Sequence, residues 1–99
     1  MHITQNIPAT GGVGPTGAVT VSHGPGSYTA SIQVVILAGT PTYDIEISND
    51  GATWAKLGTA LTANYMNSLT ALGPPVFVRL NVTTDTGSAS IKAIIHEVV

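Results

Sequence analysis

Three histidines, two closely spaced carboxylates and a single tryptophan are the residues of this 99-residue chain from which chemistry could be built. His2, His23 and His96 share no H-x-H or H-x-x-x-H spacing, and cysteine is absent, so no local motif assembles a zinc site. His96 reads as a surface or interface residue. Asp44 and Glu46 lie two apart, which on a strand puts both carboxylates on one face, as an acid/base pair or a calcium ligand set would need. Outward alternation explains the same pair as residues of a solvated face, with Lys56 or Arg79 as cross-strand partners. Asp50 reads as a turn former. No G-x-S-x-G elbow occurs, and Gly24-Pro25-Gly26-Ser27 lacks the Lys and the following helix of a phosphate cradle. Asn81-Val82-Thr83 matches a glycosylation sequon, but it falls inside a predicted strand and is expected to stay unmodified. The expectation is a protein with no catalytic residue, no metal and no cofactor.

Trp54, with the three tyrosines, could instead form the aromatic platform of a carbohydrate-binding or host-adhesion module. The competing reading is core or edge packing.

Composition narrows the partners. Charged residues make up 8% of the chain, against ~25% in ordinary soluble domains, while 43% are hydrophobic and the mean hydropathy is +0.34. So little charge implies a surface that is neutral and polar, or one covered by other protein chains. The net charge is −2, and only Lys56, Arg79 and Lys92 are basic, too few to neutralise a run of phosphates. Nucleic acid is therefore not an expected partner. No apolar run approaches the ~20 residues of a membrane helix, and residues 1–12 lack the basic start and hydrophobic middle of a signal peptide. A protein made and kept in the cytosol, with no membrane partner, is expected.

The elements that must position these residues are predicted to be strands. Residues 1–25 hold Pro8, Gly11-Gly12, Gly14-Pro15, Gly17 and Gly24-Pro25, a density of breakers that reads as an extended Gly/Pro-rich N-terminal arm. Its apolar residues would order it on a neighbour, or on its own domain as an edge strand near residues 18–22. The body, residues 26–99, begins with a strand that turns Tyr28, Ala30, Ile32, Val34 and Ile36 to one side. Val35 and Leu37 make its far end apolar on both faces, which predicts cover on both sides. Tyr43, Ile45 and Ile47 point inward on the next strand, and Ser48-Asn49-Asp50-Gly51 forms a hairpin turn. Trp54 and Leu57 then have opposite parity, which requires a bulge or an outward Trp. Residues 57–72 show Leu57, Leu61, Tyr65 and Leu69 at helical spacing among strand and turn formers. Two short pieces meeting near Asn64 are favoured over a helix. Val76, Val78, Leu80 and Val82 alternate before Thr84-Asp85-Thr86-Gly87, read as a second hairpin turn. Ala89, Ile91, Ala93 and Ile95 form the inward set of the returning strand. The fold class is all-β, an antiparallel β-sandwich or jelly-roll-like domain.

The run from Tyr43 to Trp54, a strand with acidic outer residues closed by an S-x-D-G-x-x-W hairpin, together with Val78-Arg79-Leu80-Asn81-Val82-Thr83, resembles small virion accessory proteins of tailed bacteriophages. The resemblance covers residues 31–99 and leaves out the arm. It implies a capsid decoration or cement protein, or in some members a tail component, often acting as a homotrimer in the virion. The expected partners are the major capsid protein or other virion proteins. Under this reading Ile3, Ile7, Pro8, Val13, Val19 and Val21 of the arm, with Ile94 and Val98 of the body, are the expected contact residues.

Overall fold

The computed structural model describes residues 2–21, 29–68, 76–85 and 88–98. These form nine strands, and no helix occurs among the described residues. In chain order they are β1 (His2–Gly11), β2 (Gly14–Pro15), β3 (Val19–Val21), β4 (Thr29–Ala38), β5 (Thr42–Ser48), β6 (Ala55–Leu61), β7 (Tyr65–Ser68), β8 (Val76–Thr84) and β9 (Ser90–Val98). Sheet A runs β1-β9-β4-β7. Sheet B runs β2-β8-β5-β6, with β3 also paired to β8. All the pairings are antiparallel. The two sheets pack face to face as an antiparallel β-sandwich, as expected.

Alternation decides the core. Ala30, Ile32 and Val34 of β4, Tyr43 and Ile45 of β5, Val78, Leu80 and Val82 of β8, and Ile91, Ala93 and Ile95 of β9 are buried in one cluster between the sheets. These are the inward residues that their period of two predicts. Tyr43 is fully buried yet keeps a partner, because its hydroxyl donates to the Ala63 carbonyl at 2.7 Å. Burial, with the Tyr65 phenol adding to it, pushes the Tyr43 phenol up to about 12.

The structure corrects two expectations about connections. Residues 84–87 do not close a hairpin, since β8 lies in sheet B and β9 in sheet A. The chain crosses between layers there, with Asp85 Oδ1 accepting the Ala89 N–H at 2.8 Å; residues 86 and 87 lie outside the described set. Turn-forming residues serve a crossover as well as a hairpin, and facing the apolar sides of β8 and β9 across the core requires the crossover. The far end of β4 is also not covered on both sides by this chain, for Leu37 stays 50% exposed.

The N-terminal segment does not stand apart from the body. β1 pairs with β9 from His2 to Gly11, and β2 and β3 pair with β8. Pro8 falls at the register shift between Ile7 and Thr10, on an edge strand, where a missing N–H is tolerated. Among the described residues the boundary at residue 25 therefore separates no free arm from a domain. The edge strand weighed near residues 18–22 corresponds to β3.

Residues 57–72 resolve into β6 and β7 up to Ser68, with Leu69 outside the described residues. Leu57, Leu61 and Tyr65 all pack against the core, the first two from sheet B and the third from sheet A. Their helical spacing is thus the spacing of a chain that changes sheets. The parity conflict at Trp54 resolves as expected, with register shifts between β5 and β6 and a left-handed Ala60 (φ 53°).

Gly39 makes the β4–β5 crossing possible. Its φ is +72°, and a Cβ there would lie 2.7 Å from Ala89 Cα, a backbone atom that cannot rotate away. Gly39→Ala is expected to cost about 2 kcal/mol or more, read as a lower urea midpoint at unchanged slope.

Candidate interaction surface

Asp44 and Glu46 do lie on the outer face of sheet B, but they are not solvated. Their exposures are 2% and 7%. Asp44 Oδ2 lies 3.2 Å from Lys56 Nζ, and its Oδ1 accepts the Ala60 N–H at 2.7 Å. Glu46 Oε1 accepts from Arg79 Nε at 2.7 Å and Oε2 from Asn81 Nδ2 at 3.3 Å. The guanidinium of Arg79 in turn stacks on Trp54, 4.0 Å from the ring centroid. The cross-strand pairing expected from the sequence is present. The solvated face is not, because Lys56 and the Ala60 N–H hold Asp44 while Arg79 and Asn81 hold Glu46, and both carboxylates are buried. Each acid is held by two donors, an arrangement suited to fixing strand register rather than to proton transfer.

Asp50 is built into its turn. Its Oδ1 accepts the N–H groups of Thr53 and Ala52 and the hydroxyl of Ser48, each at 2.8 Å. These bonds, the Thr53 N–H foremost, hold its carboxyl at about 2, below its ordinary value of 3.8. His96 lies half-buried on sheet A, with Nδ1 3.1 Å from Thr4 Oγ1. The His2 side chain and all of His23 lie outside the described residues. Among the described residues no three His, Asp or Glu side chains come together as a metal site, and no helix is long and apolar enough to cross a membrane.

The outer face of sheet A is different in kind. Its register aligns Thr4, His96, Ser31 and Ser68 in one row and Asn6, Ile94, Gln33 and Met66 in the next, followed by Lys92 beside Val35. Met66 is 64% exposed, and Leu37 extends the face beyond Val35. Lys92 is the charged side chain in these rows, and none of the five acidic residues contributes to them. Asp44 and Glu46 are on sheet B, Asp50 is in its turn, Asp85 caps a crossover and Glu97 is buried at 0% exposure. The acidic charge of the chain is thereby kept off one broad face, on which Lys92 is the charged residue of the described rows.

The expected contact residues divide across the structure. Ile7 and Val21, each 1% exposed, belong to the chain's own core and have no surface left for a partner. That corrects their assignment, and the reason is that strand pairing turns both inward. Ile3 and Val19 are half-buried, Pro8 is exposed and Val13 is 67% exposed at the β1–β2 link. Ile94 is half-buried on the outer face of sheet A. Val98 pairs with Thr29 and His2, and its side chain lies outside the described residues. Met66 was not foreseen, because a short strand in an ambiguous stretch gives no face to assign. Glu97 was legible, since the inward parity of Ile91, Ala93 and Ile95 continues to it.

Comparison of the chain with family models, with curated proteins and with solved structures returns no match.

Two outcomes follow from these groups. Glu46→Ala is expected to cost about 2–3 kcal/mol, because it strands the largely buried Arg79 guanidinium. Replacing both residues by Leu is expected to recover much of the loss in urea titrations. The folded-state carboxyl of Asp50 is depressed, so its contribution is full above 3.8 and is lost as pH falls through about 2. The gap in urea midpoint between the parent and Asp50→Ala is therefore expected to close over that window; a gap independent of pH would refute the assignment.

Proposed function

We propose that this protein is a non-enzymatic structural component of a virion, a capsid decoration or cement protein that stabilises the shell by binding several capsid subunits at once. The observation that carries the reading is the outer face of sheet A, free of acidic residues and with Lys92 as its charged side chain in the described rows. Charge is already scarce in this chain, and the acidic residues that exist are buried, turn-bound or on the other layer. A face of Thr, Ser, Asn and Gln around Ile94, Val35 and Met66 suits a permanent protein contact, where charged groups are depleted at the centre. The likeness of the β5–β6 hairpin and the β8 segment to tailed-phage virion proteins supplies the setting, and the homotrimer is part of that setting. The partner is then the major capsid protein or another virion protein.

Multivalency is the mechanism. One domain of 10.1 kDa offers a modest contact, but a trimer engaging three sites raises the effective concentration of each, so that avidity exceeds any single contact by roughly a hundredfold. The carbohydrate-binding alternative is less well supported, since Arg79 already occupies one face of the Trp54 ring.

Light scattering of the purified protein is expected to give three times the chain mass. In co-sedimentation with empty phage shells, an Ile94→Asp, Met66→Asp double variant should lose binding by about a hundredfold or more, while Thr59→Asp on sheet B should bind like the parent. A monodisperse monomer that ignores shells but binds glycans through Trp54 would overturn the proposal.

A further inference from the structure

The attachment of β1 differs from that of the other strands of nine or ten residues, β4, β8 and β9. Its ladder with β9 is nearly continuous from His2 to Gly11, but Ile7 is the one side chain it gives to the fully buried core among the described residues. β1 is therefore held mainly by backbone hydrogen bonds, which any copy of the same strand would make equally well. Its inner side also carries a defect. Glu97, opposite Ile3 on β9 and Ala30 on β4, is fully buried. Gln5 Nε2 reaches its Oε2 at 3.3 Å and also donates to the Thr20 carbonyl, while Glu97 Oε1 has no hydrogen-bond partner. When β1 leaves, that oxygen regains water, so opening this seam costs less than its buried area suggests.

The link that follows is built as a hinge. Gly12 and Gly14 have φ values of +86° and +124°, and a Cβ on either would touch nothing within 4 Å. Val13 between them is 67% exposed. Beyond the hinge the chain is fixed again, for Gly14 and Pro15 pair with Val82 and Asn81, and Thr16 exchanges two hydrogen bonds with Leu80 at 2.8 and 3.1 Å. A loosely attached edge strand, a short link with positive-φ glycines on either side of an exposed Val13 and a firm anchor beyond it are the ingredients of strand exchange between copies.

We infer that β1 is an exchangeable strand, leaving its own sheet in assemblies of this protein to complete sheet A of a second copy along the β9 edge. The exchanged and closed forms make the same ladder, so they differ chiefly in the hinge and in the entropy of association. High local concentration, as on a particle surface, favours exchange. The inference extends the proposed assembly role but does not depend on which shell the protein coats.

The absence of cysteine makes the test direct. Asn6 and Ile94 are cross-strand partners, as are Thr4 and His96, at separations that antiparallel pairs place within disulfide reach. Asn6→Cys and Ile94→Cys proteins, unfolded together in urea, refolded and oxidised, are expected to give a mixed disulfide-linked dimer about tenfold above an Asn6→Cys with Thr59→Cys control. Thr4→Cys with His96→Cys repeats the test should the first pair fold poorly, and Glu97→Gln should slow the exchange. If both mixed pairs stay at the control level while each double-cysteine chain closes within itself, the inference is overturned. A double-cysteine chain so locked that still coats shells would leave the proposed role standing.

Discussion

Two sheets of alternating strands can share one apolar layer only if the inward faces oppose one another, and this layer is the main support of the chain. It has no disulfide and little charge, so the layer built from Ile32, Val34, Tyr43, Ile45, Leu80, Ile91 and Ile95 carries the fold. That requirement dictates the path of the chain. β4 must cross to β5 at Gly39, β6 must cross back to β7, and β8 must cross to β9, leaving β5–β6 as the hairpin formed by sequence neighbours within one sheet among the described strands. Tyr43 shows how closely the layer and the crossings are joined, since its ring lies in the core and its hydroxyl holds the Ala63 carbonyl between β6 and β7.

The same layer controls where charge can go. Outward positions on β5 received Asp44 and Glu46, and their partners on β6 and β8 shield them from water. Removing such groups from solvent is tolerable only when each oxygen has a donor, which Lys56, Ala60, Arg79 and Asn81 provide. Sheet B thereby keeps its polar groups satisfied within itself. Sheet A presents amides, hydroxyls, a few apolar side chains, His96 and Lys92, and with no acidic residue there it is the face on which another protein surface can be buried with less loss of hydration.

β1 links these two consequences. It forms the edge of sheet A, gives the core little beyond Ile7, and lies beside Glu97, whose Oε1 lacks a partner among the described residues. Backbone pairing rather than side-chain packing makes it part of the body, which is why a segment so rich in breakers reads in sequence as an arm and still lies in a sheet.

How much was legible follows from what a period of two encodes. The alternation in β4, β5, β8 and β9 determined their inward residues, the Ser48–Gly51 tetrad determined its turn, and the positions of Lys56 and Arg79 made them candidate partners for the acidic pair. These are properties of residues near one another along the chain. Alternation does not say which strand lies alongside which, because ladder hydrogen bonds are made by backbone that every residue shares. Only the tertiary structure could therefore decide that residues 84–87 cross between sheets, that β1 pairs with β9, that Ile7 and Val21 are spent on the core, and that Asp44 and Glu46 lie outward but dry.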